Sequence, residues 1–134
     1  MLSDARYAAA LPCSDLARAK SFYEDKLGLV PAGAMPDRIF YKGHNGTEFL
    51  LFASSGTASG SHDQLRFIVA DIEAEVRALK QRGVQFEEFD FPGFDKATSI
   101  ALVGDHRAAW VTDSEGNQLV IVQLPAGAFD WPAS

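Results

Sequence analysis

Apolar residues along the chain follow two different periods, and the order of those periods repeats. Leu16, Ala19, Phe22, Tyr23 and Leu27 recur at helical spacing, with Arg18, Lys20, Glu24 and Lys26 on the opposite face. Ile72, Val76 and Leu79 do the same, with Glu73, Arg77 and Lys80 facing out. Asp15 and Asp71 precede these runs, where a carboxylate accepts the unpaired N–H groups of a first helical turn. Gly28 and Gly83 follow them, where a left-handed residue ends a helix.

Runs of period two flank both helices. Residues 64–69 alternate, with Leu65, Phe67 and Val69 on one face and Gln64, Arg66 and Ile68 on the other. Residues 7–11 are a weaker version built from small side chains. After the first helix, strand patterns cover 29–33, 38–42 and 48–52, the last two joined through Asn45-Gly46, a hairpin signal. After the second helix they cover 84–91, 107–111 and 118–122, the last two joined by the turn 113–117. Gly46 and Gly116 hold equivalent places in these turns.

The order is therefore β-α-β-β-β, twice. The expected fold class is α+β: two βαβββ repeats forming a curved eight-stranded trough with helices on the outer face. Repeat one covers about 5–55 and repeat two about 62–124, within a single domain of residues 1–134. The Ser/Gly-rich stretch 54–61 reads as a linker. Residues 91–104 read as a long irregular insert. The tail 125–134 reads as peripheral, with Phe129 and Trp131 able to fold back onto apolar surface.

Composition narrows the partners. A hydrophobic content of 47% over 134 residues suffices for a core without disulfides. The net charge of −6 disfavours phosphate backbones and anionic membrane surfaces, so neither nucleic acid nor a membrane is an expected partner. The lone Cys13 cannot form an internal disulfide. Residues 1–10 lack a basic region followed by a long apolar stretch, so no signal peptide and a cytoplasmic setting are expected.

Three stretches carry a family resemblance. They are residues 14–29, with Asp15-Leu16, Phe22-Tyr23 and Leu27-Gly28-Leu29; Val69-Ala70-Asp71-Ile72-Glu73; and residues 110–119, with Trp110 and Glu115-Gly116-Asn117. Together they resemble the vicinal-oxygen-chelate superfamily of glyoxalases, bleomycin-resistance proteins and extradiol dioxygenases. The resemblance implies a concave small-molecule site and a homodimer. It also implies four metal-ligand positions, which fall by register at Ala8, Leu50, Gln64 and Val120. Only Gln64 has a lone pair to give, and a tight transition-metal site needs three or four protein ligands. No metal or other cofactor is therefore expected, and a member lacking the usual ligands is implied. Glu48 and Gln118 lie two residues away on the same faces, which leaves a displaced, weak site as an alternative.

The candidate ligand-binding residues are Gln64, Arg66, Glu48, Trp110, Tyr41, Phe52 and His62. Arg66 reads either as an anchor for a carboxylate or phosphate or as half of an internal ion pair with Glu48. Tyr41, Phe52, Trp110 and Phe94 are candidate pocket walls, Trp110 and Phe94 foremost because they border the insert. His62 and His106 are candidate bases. His44, in a hairpin turn, reads as surface, and Cys13 reads as a buried thiol on the helix side.

Three functions stay open on this reading. The first is a metal-free protein holding an apolar or aromatic ligand in the trough. The second is a lyase, isomerase or dioxygenase using a displaced metal or acid–base residues, with no catalytic residue assigned. The third is a partner-binding module with a filled trough. Fold alone does not decide among them.

Overall fold

The computed structural model describes residues 1–56 and 58–126. Phe129 and Trp131 lie outside the described residues. In the first repeat, strand β1 (Ala9–Cys13) leads into helix α1 (Leu16–Ser21), followed by β2 (Pro31–Met35), β3 (Arg38–Lys42) and β4 (Glu48–Ala53). In the second, β5 (Asp63–Ile68) leads into α2 (Ile72–Gln81), followed by β6 (Phe94–Asp95), β7 (Ile100–Val103), β8 (His106–Thr112) and β9 (Gln118–Gln123).

Local signals set the helix ends as expected. Asp15 accepts from the Arg18 N–H and Asp71 from the Ala74 N–H, at 3.0 and 3.2 Å. Gly28 and Gly83 have φ of +77° and +87°, the left-handed region that costs glycine nothing. Past Ser21 the first helix widens into a π turn, Phe22–Lys26, in which the Leu27 N–H donates to the Phe22 carbonyl. Phe22, Tyr23 and Leu27 all reach the core from this turn. The two helix ends abut, and the Arg82 guanidinium donates to the carbonyls of Lys26, Asp25 and Glu24 at 3.1, 3.0 and 3.5 Å.

The strands form two sheets, ordered β1-β4-β3-β2 and β5-β9-β8-β7-β6. In each, the strand before the helix runs parallel to the last strand of the repeat, and the other pairings are antiparallel. The second sheet differs from expectation. Residues 84–91 form no strand, and the region read as an irregular insert supplies β6 and β7. The physical reason is competition for one edge. β7 occupies the β8 edge from His106 to Ala108, while the 84–91 segment meets β8 through the Glu87 N–H on the Trp110 carbonyl at 2.9 Å. Val84 and Phe86 instead pack beneath α2.

One face of each sheet lies under the helices. Leu11, Cys13, Ile39, Tyr41, Phe49 and Leu51 form a core with Ala19 and Tyr23, joined by Leu119 of the second repeat. Val111 and Ile121 form a second core with Ile72, Val76 and Leu79. Phe22, Leu27 and Phe67 pack against both, so the two cores are continuous. Among the described residues no helix is long and apolar enough to cross a membrane.

A polar clasp also joins the repeats. The buried Glu115 carboxylate accepts from Arg18 Nε at 2.7 Å, from the Asp15 N–H at 2.9 Å, and from Ser14 and Ser114. Asp113 accepts from the Tyr23 hydroxyl at 2.6 Å, and Asn117 donates to the Pro12 carbonyl. The acidic turn 113–117 is thus a structural joint, and Arg18, expected to face solvent, is one of its arms.

Candidate functional site

The helix-free face of the second sheet is built in rows, because directly paired strand residues point the same way. Arg66 pairs with Val120, and Val120 with Trp110. In the next row Ile68, Val122, Ala108, Ala101 and Phe94 follow one another across five strands. Ala108, Val120 and Val122 are buried, with Trp110 and Leu124 packed against them. Ile68 and Phe91 stay 42% and 38% exposed, an apolar margin to this floor.

Aromatic rings from the 84–91 segment and β6 gather at one side. Phe89 meets the Trp110 indole edge to face at 5.1 Å and Phe94 at 5.7 Å. Phe91 lies 6.0 Å from Phe89 and 5.9 Å from Phe94. Such geometry adds to the apolar burial of each ring. The Thr112 hydroxyl donates to Glu87, which fixes the segment alongside β8. Phe89 and Phe91 were not among the sequence candidates. The signal for them was the aromatic spacing Phe89, Phe91, Phe94 beside Pro92-Gly93.

The candidates divide between this face and other places. Arg66 is exposed on the aromatic face and makes no ion pair among the described residues. Glu48 does not pair with it. Glu48 is held instead by Arg6 at 2.5 Å, on the first sheet. Phe52 is half-buried and shares the helix-free face of the first sheet with Leu50 and Phe40, the last of which sequence reasoning passed over. Tyr41 lies on the other face. It stacks on Phe49 at 5.2 Å and its hydroxyl donates to Glu24 at 3.0 Å, so it is core and not a trough wall. Strand alternation is the reason: in β3, Ile39 and Tyr41 turn inward and Phe40 turns outward.

His62 precedes the start of β5, is exposed and lies beside the Ser61 hydroxyl at 3.4 Å. His106 opens β8 on the same face as Trp110, with Nδ1 3.3 Å from Asp105. Gln64 sits at the register irregularity of β5, and its Oε1 is buried with no hydrogen-bond partner. Cys13 is buried as expected, and its thiol is pushed up to about 12 by burial and by the nearby Asp113 and Glu115. Burial, followed by the charge of Asp113, also raises the Tyr23 hydroxyl.

The four metal-ligand positions implied by the resemblance do not fit a divalent ion. Ala8, Leu50 and Val120 offer hydrocarbon only, which leaves the Gln64 amide as the single donor. Among the described residues no group of three or more His, Cys, Asp or Glu is placed to hold a metal.

Residues 7–121 match the Glyoxalase/Bleomycin resistance protein/Dioxygenase superfamily, and the chain belongs to that family. No curated protein matches the chain in sequence. Among solved structures, it is similar to TnmS3, an antibiotic binding protein from Streptomyces sp. CB03234. The TM-score is 0.68 at 22% identity, covering 91% of this chain and 98% of that one. A lactoylglutathione lyase from Agrobacterium tumefaciens superposes with a TM-score of 0.67 at 22% identity, covering 95% and 98%. A bleomycin resistance determinant encoded on the transposon Tn5 gives 0.65 at 20%, covering 90% and 98%. At these identities the likeness carries the fold, and the family includes both binding proteins and enzymes.

Proposed function

We propose that this chain is a metal-free small-molecule-binding protein that holds an aromatic ligand bearing a carboxylate or phosphate. The observation that carries the reading is the joint placement of Arg66 and the Trp110 ring group on one helix-free face. Strands lie about 4.8 Å apart, so the Arg66 and Trp110 backbones stand roughly 10 Å from each other. An aromatic ligand seated against the indole, on its side towards β5, brings its anionic group within reach of the guanidinium. An antibiotic binding protein is among the similar structures, so the fold accommodates a binding role of this kind.

On this reading Glu48 and Phe52 belong to the first sheet's own open face and contribute only if that face closes over the ligand. A homodimer is the proposed assembly, which sedimentation equilibrium checks. Equilibrium dialysis against a panel of aromatic acids and their neutral analogues tests the function. Preferential retention of the acids is expected, and a panel with no retained compound would overturn the reading.

A further inference from the structure

The reverse side of the second sheet holds a cavity that the proposed ligand face does not use. It measures about 130 Å³ and lies between the sheet and the two helical segments. Phe67, Val69, Val111, Leu119 and Ile121 form its floor on the helix-facing side of β5, β8 and β9. Leu27 and Leu29, past the π turn, wall one side. Leu79 and Glu75 of α2 wall the other, four residues apart and so on one helix face.

Size and lining together define an occupant. An apolar cavity of roughly 150 Å³ lined by Leu, Ile and Phe stays dry and takes up benzene. The present pocket is close to that size but partly open to solvent, and eight of its nine lining side chains are hydrocarbon. The exception is Glu75, an exposed carboxylate with no ion pair among the described residues. An acyl chain ending in a carboxylate would meet like charge there. A ring carrying an ammonium group would place the ring against Leu119 and Ile121 and the cation against Glu75.

We propose that this cavity is a second binding site, separate from the Arg66–Trp110 face, for a single-ring arylalkyl amine. The two sites are opposite in preference, anionic ligands on one side of the sheet and cationic ones on the other.

Methyl-resolved NMR of the full chain, titrated with benzylamine and separately with benzyl alcohol, tests the proposal. Saturable shifts are expected at Leu27, Leu29, Val69, Leu79 and Ile121, with benzylamine bound roughly fivefold tighter than the alcohol, the upper end for a partly exposed ion pair. Glu75→Gln, on an exposed position, should equalise the two probes. Val69→Phe should abolish both by filling the cavity. Absence of saturable shifts would overturn the proposal, as would equal affinity for the two probes in the unaltered chain or an unchanged preference in E75Q. Failure of aromatic acids to bind at Arg66 leaves these outcomes unaffected, because the probes and the reporting methyls belong to the other face.

Discussion

Arg66 and Trp110 stand in one row of the second sheet on either side of Val120, so a cation and an indole face the same way. The row depends on a parallel pairing, β5 with β9, and an antiparallel one, β9 with β8, being in register at Val120. Arg66→Ala should weaken an aromatic carboxylate by about fivefold, the loss of a partly exposed charge pair. Its effect on the neutral analogue should be negligible. Trp110→Ala should weaken acid and neutral analogue alike, by about tenfold, because ring contact is lost from both. Isothermal titration of the two variants checks this. Equal losses from R66A for acid and neutral compound would remove the anionic role.

Glu115 makes the joint between the repeats sensitive to acid. Burial alone would raise its carboxyl, but the bonds from Arg18, the Asp15 N–H, Ser114 and Ser14 outweigh burial and bring the pKa down to about 2. A folded pKa below the unfolded one stabilises the fold fully above the ordinary carboxylate range. That stability is lost as pH falls from about 4.5 towards 2. Glu115→Gln should cost about 2 kcal/mol at neutral pH, the loss of charge-assisted bonds. It should also flatten the acid limb of the stability curve, measured by urea unfolding between pH 2 and 7.

Tyr23 tests the same joint from the other repeat. Its hydroxyl donates to Asp113, which also accepts from the Glu115 and Asn117 N–H groups and the Asn117 side chain. Tyr23→Phe keeps the ring contacts with Phe22, Tyr41 and Phe49 and deletes one bond to a carboxylate. The expected loss is about 2 kcal/mol by denaturant titration, without change in the slope.

Cys13 should be chemically silent in the folded chain. Its thiol is 1% exposed and is raised to about 12, so little thiolate exists at pH 8. A water-soluble disulfide reagent should leave the native protein unlabelled and take up one equivalent on unfolding. Rapid native labelling would contradict the packing of β1 under α1.

Much of this architecture could be read along the chain wherever the signal was local. Asp15, Asp71, Gly28 and Gly83 mark helix ends by chemistry that acts within a turn. The Arg66 face followed from alternation within one strand. An aromatic strand residue such as Tyr41 gives no sign of its face unless its neighbours are read in step; Ile39 and Tyr41 share the core side. The 84–91 segment has strand composition, and only the three-dimensional contest for the β8 edge decides that β7 takes it. The partners of Glu48 and Arg18 were hidden for a related reason. Arg6–Glu48 and Arg18–Glu115 join positions 42 and 97 residues apart, which no local pattern specifies.

Binding of an aromatic anion without a metal is tested most directly by calorimetry in the presence of a chelator. Naphthoate titrated into the full chain in EDTA should bind saturably, with the same affinity after any divalent metal is added back, and more weakly in R66A. Binding that appears only when a divalent ion is restored, or heats indifferent to Arg66, would contradict the account.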